Sequence, residues 1–157
     1  MKTIDGDLLE IKDGIICHQV NCKGVAGGGL AKQIRDKYPD WYKNYVDLCK
    51  FNKYSLLGCC DFFIDDSEKT KPANIIIASL FAQDEYGTDK RYTNYEHFVR
   101  AMFNLKNNKE KYEILEGREY KVYFPYLIGC GLGGGDWILI SHLIEHVLPE
   151  VIIVKRE

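Results

Sequence analysis

Hydrophobic and polar positions alternate in blocks along this chain, and the period changes several times. Met1–Ile4 reads as a short strand closed by a turn at Asp5-Gly6-Asp7. Ile15–Val20, behind Asp13-Gly14, is a compact apolar run that predicts a buried strand ending at Asn21. After a loop through Gly24 to Gly29 the pattern turns helical. Leu30, Ile34 and Tyr38 fall on one face, Lys32, Arg35 and Lys37 on the other, and Pro39 stops the helix. Asp40 is placed to cap a second helix with an apolar stripe of Trp41, Tyr45 and Leu48. Two strand-like runs follow, Ser55–Ile64 and Asn74–Phe81, with the charged stretch Asp65–Lys71 between them. A polar loop, Gln83–Thr93, leads into a helix from about Asn94 that turns Phe98, Met102 and Leu105 to the core. Tyr120–Leu127 predicts a strand, Gly129–Gly135 a loop, and Asp136 caps a helix through Val147. Val151–Val154 closes the chain as a strand. Strands interleaved with helices in this order predict an α/β fold, with a mixed, largely parallel sheet sandwiched by helices. Ligands of such sheets bind beyond the carboxyl ends of the strands, where loops lead into helices.

Composition narrows the chemistry. A chain of 157 residues fits one domain, spanning 1–157, and can fold without staples. With a net charge of -2 it has no global attraction to nucleic acid or anionic lipid, so any nucleotide it recognises is expected to be small and held locally. No apolar stretch approaches the ~20 residues of a membrane span. The opening MKTIDGDLLE carries acids where a secretion signal needs an apolar core. The six cysteines are scattered, with no C-x-x-C pair, which points to reduced thiols in a cytoplasmic protein and to no metal centre.

Nine of the fourteen glycines lie in two segments, Gly24 to Gly29 and Gly129 to Gly135. Glycine costs conformational entropy wherever it stands, so this clustering asks for a cause. Each segment lies between a strand and a helix, where side-chain-free backbone can turn N–H groups toward phosphate oxygens and the helix start favours an anion. Two flexible turns are the plainer alternative. Neither segment is the G-x-x-x-x-G-K-[ST] of a nucleotide-triphosphatase, and neither is a dinucleotide G-x-G-x-x-G with its acid on the next strand.

The stretch GDLLEIKDGIICHQVNCKGVAGGGLAKQIRDKYP, Gly6 to Pro39, resembles the opening of a macrodomain, and YLIGCGLGGGDW, Tyr126 to Trp137, resembles that family's second ligand loop. The N-C-K-G…G-G-G-L-A version is most similar to the branch with the yeast-type ADP-ribose 1″-phosphate phosphatases and the terminal ADP-ribose glycohydrolases. The resemblance implies a three-layer α/β/α macrodomain that uses no cofactor and takes ADP-ribose or a derivative as its small-molecule ligand. It implies that Asp7 accepts from the adenine amine and that Leu8 adds a backbone contact. It places Asn21 and the glycines Gly27, Gly28 and Gly29 at the distal ribose and pyrophosphate. Gly131, Leu132, Gly133 and Gly134 would wrap the pyrophosphate from the other side.

For catalysis the resemblance singles out His18, whose imidazole could exchange protons near its free pKa of about 6.5. A histidine held inside an apolar strand is the other reading. Asp136 is either a base or a helix cap, and Asp84 is a third candidate, in a loop that borders the distal ribose in relatives. The implied activity is hydrolysis of ADP-ribose 1″-phosphate. The alternatives are a non-catalytic reader of ADP-ribose and a hydrolase that frees ADP-ribose from a macromolecule. Against the last, Ala82 and Gln83 stand where glycohydrolase relatives carry a nucleophilic lysine, the next lysine being Lys90, and Gly133 replaces the aspartate expected after Leu132. HLIEH, His142 to His146, matches a zinc-protease pattern in form, but only eleven residues follow it for a third ligand, so it reads as an amphipathic helix. Trp41, Tyr42 and Tyr45 with Lys37, Lys43 and Lys50 read as core plus a solvated flank rather than a nucleic-acid face.

Overall fold

The computed structural model describes residues 1–52, 55–65 and 73–156. Among the described residues, six strands and four helices run in the order β1 (Lys2–Asp5), β2 (Gly14–Val20), α1 (Gly29–Lys37), α2 (Pro39–Phe51), β3 (Cys60–Asp65), β4 (Ile75–Phe81), α3 (Tyr95–Glu116), β5 (Val122–Pro125), α4 (Trp137–Val147) and β6 (Ile152–Lys155), with a 3-10 turn at Leu8–Glu10 after β1. The strands form one sheet in the order β1-β6-β5-β2-β4-β3. All neighbours are parallel except β3 and β4. The mixed, largely parallel sheet between helical layers is therefore present.

β2 and β4 lie inside the sheet with apolar residues on both faces, as strands covered by helices on both sides must. Alternate residues supply two cores. Ile15, Cys17, Ile76, Ala78 and Leu80 pack with Phe98, Met102 and Leu105 of α3 and Ile140 and Ile144 of α4. Ile16, Val20, Ile77 and Phe81 pack with Ile34 of α1 and Trp41 and Tyr45 of α2. The predicted faces of α1, α2 and α3 are thus the buried ones. Asn94 caps α3 by accepting from the His97 N–H at 3.1 Å, and Gly117 ends that helix at φ +67°. Among the described residues, no helix is long and apolar enough to cross a membrane.

Three expectations change at their boundaries. The strand expected over Ser55–Ile64 begins only at Cys60, because Ser55 and Cys59 donate back to Asn52 and Leu56 in successive turns and Gly58 takes φ +87°. The strand expected over Tyr120–Leu127 shortens to four residues, since the Ile128 N–H closes a turn on Pro125 O at 3.1 Å and Leu127 adopts φ +64°. Asp40 lies in the first turn of α2 rather than capping it; Pro39 occupies the start, where its missing N–H costs nothing. Of the charged stretch Asp65–Lys71, residues 66–71 lie outside the described residues.

Candidate functional site

The carboxyl ends of β2, β4 and β5 open onto a cleft of about 550 Å³. Its walls come from residues 18–21 at the end of β2, residues 27–31 leading into α1, Gln83 with residues 86–88, and residues 125–129 and 131–133 after β5. The two glycine-rich loops meet across it: a Cβ on Gly28 would lie 3.1 Å from Leu132 Cδ1. Among the described residues lining this cleft there is no carboxylate, lysine or arginine. Any anion held here must find its partners in N–H and O–H groups.

The two helix starts near the cleft differ. α1 begins at Gly29 with Gly28 as its N-cap, and no side chain among the described residues caps it. Its first N–H groups belong to residues 29–31, all of which line the cleft, so unpaired donors and the positive end of the helix dipole face the ligand space together. α4 is closed: the Asp136 carboxylate accepts from the Ile138 N–H at 2.8 Å, and the Asp136 N–H donates to Tyr95 Oη at 3.0 Å. The expectation that both loops offer a helix start to an anion thus holds for the first loop only.

His18 stands directly beside Ser79 in the β2–β4 register, and its Nε2 lies 3.0 Å from Ser79 Oγ. The same hydroxyl oxygen accepts from the Trp41 indole N–H at 2.9 Å. An indole can only donate, so the hydroxyl hydrogen is free for Nε2, an arrangement that puts the imidazole hydrogen on Nδ1. Nδ1 is itself buried and has no hydrogen-bond partner among the described residues. The residue is 1% exposed, and burial lowers its pKa to about 3. At neutral pH the ring is therefore an uncharged group in the cleft wall, not one poised to titrate near 6.5.

Asn21 organises the first loop from within. Its Oδ1 accepts from the Lys23 N–H at 3.0 Å and from Tyr45 Oη at 2.8 Å, and its Nδ2 donates to Val25 O at 2.8 Å. Burial pushes the Tyr45 phenol far up, so that hydroxyl remains a donor. The turn that presents Gly27, Gly28 and Gly29 is thus anchored on α2.

The structure brings His18, Asn21, Gly27, Gly28, Gly29, Gly131, Leu132 and Gly133 to one cleft. Asp7, Leu8, Asp84, Gly134 and Asp136 are not among its lining residues. Asp7 caps the turn after β1 by accepting from the Leu9 N–H at 3.0 Å, and its other oxygen takes Arg156 at 2.5 Å. The Arg156 guanidinium, helped by that N–H, holds the Asp7 carboxyl below the usual carboxylate range. Leu8 is buried in the α1–α2 core. Asp84 is exposed and pairs with Lys23 at 3.6 Å, while its carbonyl takes the Cys22 N–H at 2.9 Å. Gly134 lies behind the wall, against Arg91. Missing from the sequence reading are Gln19, Tyr86, Thr88 and Leu127 among the lining residues, and Ser79 and Thr93 behind them. Gln19 and Ser79 are polar interruptions of apolar strands, the one sequence signal that marks them.

No protein-family profile matches the chain. Relatives do. The ADP-ribose 1″-phosphate phosphatase of Candida albicans is 31% identical over 128 residues, covering 80% of this chain and 76% of that protein. The enzyme of the same name from Saccharomyces cerevisiae is 27% identical over 161 residues, covering 90% and 89%. In fold, the macrodomain of Thermus aquaticus DarG superposes with a TM-score of 0.75 at 23% identity, covering 99% of this chain and 97% of that one. A three-layer α/β/α fold with a glycine-walled cleft at its strand ends is the class. The chain belongs to the macrodomain family, in the branch of the yeast-type ADP-ribose 1″-phosphate phosphatases.

Proposed function

We propose that this protein binds ADP-ribose or a derivative in the cleft and hydrolyses ADP-ribose 1″-phosphate to ADP-ribose and inorganic phosphate. The observation that carries the reading is the uncapped start of α1, whose free N–H groups line a cleft with no charged side chain among its described residues. A polyanionic ligand is stabilised there by backbone donors and the helix dipole, and repelled by no carboxylate. Gly27, Gly28 and Gly29 let the pyrophosphate approach the backbone, and Gly131, Leu132 and Gly133 close on it from the opposite wall. Asn21 holds the first loop at the distal ribose. In the chemical step water attacks phosphorus, the bond from phosphorus to the 1″ oxygen breaks, and a proton reaches the departing oxygen. His18 is buried in the cleft wall at the end of β2, where its neutral ring holds Ser79 and shapes the floor under the phosphate rather than titrating. Asp84 and Asp136, engaged in an ion pair and a helix cap, have secondary parts at most. The setting is cytoplasmic, the partner is a small molecule rather than nucleic acid, and residues 1–157 act as one macrodomain without a cofactor.

Calorimetry with ADP-ribose should give micromolar binding, about -8 kcal/mol, and phosphate release from ADP-ribose 1″-phosphate should follow in a coupled assay. Failure to saturate at millimolar ADP-ribose overturns the reading. The uncharged walls also favour a second reading, a reader that holds ADP-ribose without chemistry. Micromolar binding with no phosphate release selects it.

The adenine end can be tested separately. If Asp7 accepts from the adenine amine, Asp7→Ala should weaken ADP-ribose binding by roughly 1–3 kcal/mol and leave turnover at saturation unchanged. Arg156→Ala frees one carboxylate oxygen and should not weaken binding. Equal affinities in the wild type and the Asp7 variant would make Asp7 a turn cap and ion-pair partner alone.

A further inference from the structure

The two loops that face each other after β4 and β5 are joined by a directed chain of hydrogen bonds starting at Gln19. Thr93 Oγ1 lies 2.7 Å from Gly129 O, and a carbonyl can only accept, so the threonine gives its one hydrogen there. The group 2.7 Å away on its other side must then be a donor, which makes it the Gln19 amide nitrogen. Gln83 Nε2 likewise donates to Glu85 O at 2.7 Å, so Gln83 turns its oxygen to Gln19 and accepts the second hydrogen of the same nitrogen, at 2.7 Å. Both donors of one side chain are thereby used, and all three residues have a single consistent orientation. Gln19 Oε1 has no hydrogen-bond partner among the described residues and faces Gly129, where a Cβ would lie 2.8 Å away; only a Cα–H fits. The backbone adds two further ties, from the Tyr92 and Thr93 N–H groups to Gly133 O at 2.9 and 3.0 Å.

We propose that Gln19 is the positioning residue of this cleft: its amide sets the loop of residues 83–93 against the loop of residues 129–135, and so sets ligand affinity without being needed for the fold. This rests on the reading of the cleft as the ligand site. The network lies at the end of β2, outside the two cores, and its far member Thr93 is buried and does not line the cleft. An effect of Thr93 on affinity must therefore pass through the loops. With two net hydrogen bonds at stake, affinity should fall about tenfold to a hundredfold when the amide donors are lost.

The test compares Gln19→Met, Gln19→Glu, Thr93→Val and Thr93→Ser. Each is measured for ADP-ribose affinity by calorimetry and for hydrogen exchange of the 129–135 amides without ligand. Gln19→Met and Thr93→Val should weaken binding to a similar extent and speed exchange in that loop, with exchange in β2 and β4 unchanged. Gln19→Glu keeps the shape, loses both donors and should do the same. Thr93→Ser restores the hydroxyl and should restore both readouts. The double variant Gln19→Met/Thr93→Val should be no worse than either single one, as expected within one network. Additive losses, or a Thr93→Val protein with wild-type affinity, overturn the proposal. A wild type that fails to bind ADP-ribose while loop exchange responds as expected removes the ligand reading and leaves the loop assignment standing.

Discussion

Gly133→Ala is expected to cost more than any other single methyl added to either glycine loop. A Cβ at this position would lie 2.4 Å from Thr93 Oγ1, 2.7 Å from Gly129 O and 3.0 Å from Gln19 Nε2. Two of these three atoms are held by hydrogen bonds and the third is backbone, so none can withdraw as the end of a flexible side chain does. Overpacking of this kind typically costs about 1–3 kcal/mol. Here it also drives apart the contacts that join the loop after β4 to the loop after β5. Stability should fall by about that amount, and ADP-ribose affinity by more than tenfold. Gly131→Ala is the internal control, since a Cβ there meets nothing within 4 Å among the described residues. Its stability should stay within about 0.5 kcal/mol of wild type, as for other unstrained surface changes. Denaturant unfolding and calorimetry on both variants give the comparison. Equal stability of the two would mean that the loop relaxes around residue 133 and that close packing does not explain its glycine.

That contrast shows how far the site can be read from sequence. Clustered glycines mark both loops because their entropy cost demands a reason, and both loops do wall the cleft. Sequence treats the glycines of a loop alike, whereas the structure divides them. Gly133 and Gly135 are small because backbone and side chains press on them, Gly131 stands open, and Gly134 backs onto Arg91. Two of the three groups that press on Gly133 come from residues far along the chain; Thr93 and Gln19 are 74 residues apart and are paired by the fold, not by any period. The fold was more legible. Continuous apolar runs locate β2 and β4, and helical spacing locates the buried faces of α1 to α3, because burial on a regular element leaves a regular trace. The misplaced start of β3 has the opposite cause: Leu56, Leu57 and Cys59 are as apolar as a strand, and the turns closed by Ser55 and Cys59, with the φ of Gly58, take them out of it. His18 was legible as a residue but not as a charge state, which depends on Trp41 and Ser79 arriving from other elements.

His18→Leu is accordingly expected to separate two effects with opposite dependence on pH. At neutral pH the variant loses stability, because Ser79 keeps its bond from the Trp41 N–H but has lost the acceptor for its own hydrogen. A lost hydrogen bond of this sort costs about 1 kcal/mol. In acid the sign reverses. The folded ring has its pKa lowered to about 3 by burial, whereas in the unfolded chain it titrates near 6.5. Above about pH 6.5 both states carry a neutral ring, and His18 adds no pH dependence. Between about 6.5 and 3 the unfolded chain binds a proton that the folded ring refuses, so wild-type stability falls as pH falls, by up to about 1.4 kcal/mol per unit. The leucine variant lacks this slope, so the stability curves should cross near pH 6 and leave the variant about 2 kcal/mol more stable at pH 4.5. If the protein releases phosphate, the same variant should lower kcat only through the shape of the cleft wall, by less than the roughly 10²–10³ lost on removing one preorganised donor. Wild-type turnover should carry no acid limb near pH 6.5 from this ring. Unfolding curves from pH 4.5 to 7.5 decide the protonation state, because parallel curves would mean that the folded ring takes up its proton as freely as the unfolded one. A wild-type kcat in the variant would remove His18 from the chemical step, whatever the curves show.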